Sequence, residues 1–114
     1  MIQANKNGFL FVLDRTNCKL IAANPYVKVN WATHYDLATG RPVLTDVYQR
    51  FVAGEEVEVW PQRGTNAVPI AYNPATGLIY MTTWNLPRIQ KLAPPAPQVL
   101  GAPSTVVPST SAWR

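Results

Sequence analysis

The sequence predicts an all-β protein built from repeated hairpins, and two observations carry that expectation. First, one turn pattern occurs three times: Asp14-Arg15-Thr16-Asn17-Cys18-Lys19, Asp36-Leu37-Ala38-Thr39-Gly40-Arg41 and Asn73-Pro74-Ala75-Thr76-Gly77-Leu78. In each, an Asp or Asn opens the turn, a Thr follows two or three residues on, and a Gly or Cys stands four residues after the start. The first and third follow strand-like apolar runs, Phe9 to Leu13 and Val68 to Tyr72. Strand, Asx-type turn, strand is a hairpin signature. Second, the 114 residues include 11 prolines and 6 glycines and show little helical periodicity, which suits a turn-rich β protein.

The elements follow in chain order. Phe9 to Leu13 is a continuous apolar strand, and the Asp14 turn sends the chain back through a strand at Leu20 to Ala23. Pro25 breaks that strand because it lacks an amide donor. Lys28 to His34 reads as the next strand, and 38–66 reads mainly as connection. That connection holds one strand, Glu56-Val57-Glu58-Val59-Trp60, whose alternation puts Val57 and Val59 on one face and the glutamates on the other. A second hairpin occupies 67–92, with Ile70 to Tyr72 and Leu78 to Trp84 on either side of the Asn73 turn. Residues 93–114 form a separate tail. Pro94, Pro95, Pro97, Pro103 and Pro108 there predict an extended or disordered course. Hairpin repetition of this kind directs attention to propellers, in which several blades build one site at the axis.

Charge and composition exclude several functions. The net charge is +4, but the basic residues are scattered with no two adjacent, so the basic stripe of a nucleic-acid binder is absent. No apolar run approaches a membrane span, and Met1 to Gly8 lacks a signal-peptide layout. Cys18 is the only cysteine and forms no internal disulfide.

Asn5-Lys6-Asn7-Gly8-Phe9-Leu10-Phe11-Val12-Leu13-Asp14-Arg15-Thr16-Asn17 closely resembles a segment of the pyrroloquinoline-quinone (PQQ) dependent alcohol dehydrogenases, the methanol and ethanol dehydrogenase family. Asn30 to His34, Asp36 to Pro42, Val59-Trp60-Pro61, Asn66 and Ala71 to Pro74 continue the match in order, over residues 2–92. The resemblance implies part of an eight-bladed β-propeller of four-stranded blades, about one and a half blades in 1–92. It further implies PQQ near the axis beside a calcium or lanthanide ion. A primary alcohol is oxidised to an aldehyde by hydride transfer to PQQ, an Asp acts as base, and a cytochrome c accepts the electrons in the periplasm. The chain is far too short for such a propeller, so a gene fragment, a truncated frame or a frameshifted end is the expectation. The catalytic Asp and metal ligands find no counterpart here and are expected upstream of Met1. In the family's first turn Cys18 replaces a glycine, at a cost of about 1 kcal/mol if φ is positive there.

Two residues become cofactor-contact candidates through the resemblance. Lys6 matches the cation that reaches the quinone oxygens, where it stabilises charge on the reduced ring. Its plain alternative is a solvated lysine at a strand end. Asn66 matches an Asn that lies against the cofactor, with a turn asparagine after Gly64-Thr65 as the alternative. Trp31, Trp60 and Trp84 read as packing residues before they read as a stacking platform. The lone His34, the acidic Glu55, Glu56 and Glu58, and the tail serines lack the partners that metal binding or nucleophilic catalysis needs. The competing reading from another class is a non-catalytic propeller scaffold that binds protein partners. Such a scaffold has no need of Lys6 with Asn66.

Overall fold

The computed structural model describes residues 1–66 and 68–92. The expected tail at 93–114 lies outside the described residues. The described chain is mostly strand with one short helix, as the all-β reading requires.

Three strands open the chain: β1 (Ile2–Ala4), β2 (Phe9–Leu13) and β3 (Leu20–Pro25). They form one antiparallel sheet in the order β1-β2-β3. A bulge lies at the β2–β3 turn, where Val12 faces Ala22 but Leu13 faces Leu20. β4 (Ala32–Asp36) and β5 (Arg41–Leu44) form a second hairpin. The helix α1 (Asp46–Val52) and the strand β6 (Val57–Val59) follow. β7 (Ala71–Asn73) pairs with β8 (Leu78–Tyr80), while β9 (Arg88–Gln90) returns to pair with β6.

The threefold sequence repeat is a threefold structural repeat. In each turn the carbonyl of the first residue accepts from the amide four residues on: Cys18 to Asp14, Gly40 to Asp36 and Gly77 to Asn73, each at 2.8 Å. In each, the opening side chain accepts from the amide two residues on: Thr16, Ala38 and Ala75. These are Asx turns, in which a short polar side chain imitates the backbone. The fifth residue has positive φ in all three, 60° at Cys18, 68° at Gly40 and 69° at Gly77. Cys18 thus occupies a backbone region that glycine enters without steric cost.

The core gathers where the first sheet meets β4. Phe9 is fully buried, and Ala32 and Val57 are nearly so. Phe9 and Phe11 both meet the ring of Tyr35 edge-on, with centroids 5.0 Å apart, and Trp31 meets Phe9 at 5.9 Å. Each such pair adds about 0.5–1.5 kcal/mol beyond its buried area. In β6, Val57 is buried and Glu58 exposed, so the alternation is realised.

Four features differ from the sequence-based expectations. The 38–66 stretch contains β5 and α1 rather than mere connection. α1 has seven residues, none fully buried, and its apolar Val47, Tyr48, Phe51 and Val52 cover only two turns, too short a window for helical periodicity to stand out. The strand expected at Lys28 to His34 starts only at Ala32. Asn30 instead brackets two segments, its amide donating to the Glu58 carbonyl at 2.8 Å and accepting from the Trp60 amide at 2.7 Å. The strand expected at Leu78 to Trp84 ends at Tyr80. Finally, β9 pairs with β6 across some thirty residues, and no local pattern announced it.

Candidate functional site

Lys6 stands on the tight turn between β1 and β2. The Asn5 amide donates to the Phe9 carbonyl at 2.9 Å, and the Gly8 amide to the Asn5 carbonyl at 3.1 Å. Gly8 has φ of 97°, and a side chain there would press into Val29 and Pro61. All four carbonyls of this turn are engaged by groups distant in sequence. The Asn5 carbonyl accepts from the Tyr26 hydroxyl at 2.6 Å, and that of Lys6 from the Gly64 amide at 2.8 Å. The Asn7 carbonyl accepts from the Trp31 indole at 3.1 Å, and that of Gly8 from the Tyr26 amide at 3.0 Å. The Asn7 side chain accepts from the Phe9 amide and donates to the Tyr35 hydroxyl. The backbone under Lys6 is therefore held on every side, while its side chain stays exposed.

Asn66 stands in the connection between β6 and β7, which begins with the cis Trp60-Pro61 bond. Within it the Gln62 amide donates to the Leu86 carbonyl at 2.7 Å, and the Trp84 amide to the Gly64 carbonyl at 2.8 Å. Gly64 thus bonds Lys6 on one side and Trp84 on the other. Its lack of a side chain is required, since a Cβ there would overlap the Tyr26 hydroxyl and lie 3.0 Å from the Gly8 Cα. Thr65 is 5% exposed, and its hydroxyl has no partner among the described residues. Asn66 itself is exposed. The two candidates, sixty residues apart in sequence, are carried by backbones that touch two residues before Asn66.

The loops that carry them bear only cations, with the Glu58 carboxylate beside them accepting from the Trp60 indole at 2.6 Å. Residues 5–8, 26–31 and 60–66 contribute Lys6, Lys28 and Arg63 and no carboxylate. The Lys28 ammonium lies 4.0 Å from the centre of the Trp60 ring, and the Arg63 guanidinium 4.1 Å from that of Trp84. Trp60 and Trp84 thus hold cations, while Trp31 packs in the aromatic cluster. The Arg63 Nε is buried without a hydrogen-bond partner among the described residues. Burial pushes the Tyr26 phenol above the ordinary tyrosine value, so it remains a donor at neutral pH. A cation, an amide and spare buried donors suit an electron-rich or anionic oxygen compound.

No such gathering surrounds the other chemically capable residues. Among the described residues no three His, Cys, Asp or Glu side chains approach closely enough to hold a metal ion. Glu55 pairs with Arg50, Glu58 accepts from the Trp60 indole, and His34 Nδ1 lies 2.9 Å from Thr33 Oγ1. An open groove lined by Phe11, Leu20, Tyr35, Cys18 and Lys19 includes neither Lys6 nor Asn66. Sequence reasoning did not single out Tyr26 or Asn7. Their only signals were an aromatic just after Pro25, which the structure keeps as the last residue of β3 rather than a break before it, and an Asn before Gly8.

No family profile matches the chain. It is 42% identical over 95 residues to the quinohemoprotein alcohol dehydrogenase ADH IIB of Pseudomonas putida, covering 80% of this chain and 13% of that protein. It is 40% identical over 96 residues to the 1-butanol dehydrogenase (cytochrome c) of Thauera butanivorans, covering 78% of this chain and 13% of that protein. Its fold superposes on the solved quinohemoprotein alcohol dehydrogenase ADHIIG of Pseudomonas putida HK5 with a TM-score of 0.77 and 33% identity. That match covers 85% of this chain and 15% of the other. This chain is homologous to a segment of the quinoprotein alcohol dehydrogenases. The quinoprotein segment is all-β and of the β-propeller class, and it spans about an eighth of its curated relatives' length.

Proposed function

We propose that this quinoprotein segment contributes PQQ contacts, through Lys6 and Asn66, to an alcohol dehydrogenase that oxidises primary alcohols to aldehydes. The observation that carries the reading is the Gly64–Lys6 bond, which joins the two candidate-bearing loops, whose own charged residues, Lys6 and Arg63, are cations. PQQ, when bound, supplies the acceptor of the hydride. It is a planar tricarboxylate with adjacent quinone oxygens, and the surplus of cations and unpartnered buried donors fits it. The backbone that carries Lys6 is fixed beforehand, so only the side chain has to order when the ammonium meets an anionic oxygen. The Asn66 amide can donate or accept beside it and orient the ring plane.

The proposed metal is calcium or a lanthanide, and the described residues gather no donor set of His, Cys, Asp or Glu side chains for it. A cytochrome acceptor is proposed from the relative named a cytochrome c butanol dehydrogenase, and a periplasmic location from the family resemblance. The pairing of Lys6 with Asn66 favours this reading over a scaffold that binds protein partners.

A transplant tests it. Residues 2–92 replace the matching segment of the Pseudomonas putida ADH IIB enzyme. The expected chimera retains PQQ and oxidises alcohols. A chimera that folds, by circular dichroism and melting, yet holds no PQQ overturns the reading.

A further inference from the structure

We propose that Tyr26 is a positioning residue that couples the Lys6 turn to the Asn66 loop and so sets the spacing of their two side chains. The inference rests on the cofactor reading of Lys6 and Asn66 for its purpose, though not for its geometry. Tyr26 is the first residue after β3 and touches both candidate-bearing segments. Its amide donates to the Gly8 carbonyl at 3.0 Å and its hydroxyl to the Asn5 carbonyl at 2.6 Å. The two bonds grip the Lys6 turn at both ends. The same hydroxyl and ring lie where a Gly64 side chain would be, its Cζ only 2.8 Å from that Cβ position. The phenol is therefore wedged between the Asn5 carbonyl and the Gly64 backbone. In this position the Gly64 amide reaches the Lys6 carbonyl at 2.8 Å.

The phenol oxygen acts at a distance from any ligand. Its proton is committed to a backbone carbonyl, so it positions Lys6 and Asn66 and touches no reacting atom. Removing that oxygen leaves the ring in place but frees the Asn5 carbonyl and opens space beneath Gly64. The loss should fall on the Lys6–Gly64 contact and spare the sheet.

The test is amide hydrogen exchange on the full 114-residue chain by NMR, comparing wild type with Tyr26→Phe. Exchange at Gly64 should quicken about tenfold, as expected for losing one well-formed hydrogen bond. The amides of β2 should keep their rates, and the side-chain amide resonance of Asn66 should move. Gly64→Ala, which forces a methyl into the same contact, should give the same local pattern. Unchanged Gly64 exchange in Tyr26→Phe overturns the proposal. So does an equal acceleration throughout β2, which marks a general loss of stability, or a wild-type Gly64 amide with no protection. None of these readouts involves PQQ. Failure of the chimera to retain PQQ refutes the cofactor reading alone.

Discussion

Replacing Cys18 with glycine should stabilise the chain. Cys18 has φ of 60°, in the left-handed region, and its two structural equivalents are Gly40 and Gly77. A side chain in that region costs about 1–2 kcal/mol through the clash of Cβ with the neighbouring carbonyl. Glycine carries its own penalty of about 0.4–1 kcal/mol, because it gains freedom in the unfolded chain. Cys18 is exposed and free, so little packing is lost with its thiol. The net gain should be about 0.5–1 kcal/mol, the difference between the two preceding terms. For a domain of this size that raises Tm by about 3–6 °C. Thermal unfolding followed by circular dichroism measures it, with reductant present to keep the thiol free. The reciprocal change checks the cause. A Cβ at Gly40 or Gly77 meets nothing within 4 Å, so Gly40→Ala or Gly77→Ala should lose stability through backbone conformation alone. A Tm for Cys18→Gly at or below wild type would show that αL strain is not what distinguishes the first turn.

Three further outcomes are expected. In the chimera, Lys6→Ala should lower turnover by about a hundredfold, because a full charge facing the quinone acts mainly as charge develops. Asn66→Ala should lower turnover less and PQQ occupancy more, and equal turnover for Lys6→Ala and wild type would refute the assignment. Phe9→Ala should cost about 3–5 kcal/mol and unfold the chain or nearly so, since Phe9 is fully buried against three aromatic rings; urea denaturation reads it. Stability should fall in acid. The Thr16 hydroxyl and amide hold Asp14 below the ordinary aspartate value, and the Ala38 amide and Thr39 hydroxyl do so for Asp36. With the folded values depressed, both turns contribute fully above the unfolded value of about 4 and lose that contribution as pH falls through it towards the folded values. Urea midpoints between pH 6 and about 2 should show this loss, and Asp14→Asn with Asp36→Asn should flatten it.

The turns and the core strand were legible in the sequence because their determinants are local. An Asx side chain reaches its own backbone two residues on, so Asp14, Asp36 and Asn73 declared their turns in any context. Cys18 at a glycine place likewise foretold a positive φ, since that need arises within the turn itself. The alternation in β6 put Val57 and Val59 on the inner face and Glu58 outside, and the structure buries Val57 fully and Val59 in part. α1 stayed hidden because its i, i+4 apolar pairs, Val47 with Phe51 and Tyr48 with Val52, span only two turns, too few to separate a helix from connection. Lys28 to His34 looked like a strand until the Asn30 side chain proved to be bonded to the β6 segment, a contact that β propensity does not encode.

The sequence by itself determined the all-β class, the three Asx turns, the hairpins at Asp14 and Asn73 and, through resemblance, the two residues of interest. Tertiary structure alone decided that the segments carrying Lys6 and Asn66 meet, that Gly64 is the meeting point and that Tyr26 is wedged between their loops. The reason is physical. A turn is set by bonds among neighbours, which a short window of sequence contains. The meeting of residues 6, 26 and 64 is set by close packing and backbone hydrogen bonds between segments twenty to sixty residues apart, and those form only once the whole chain has folded.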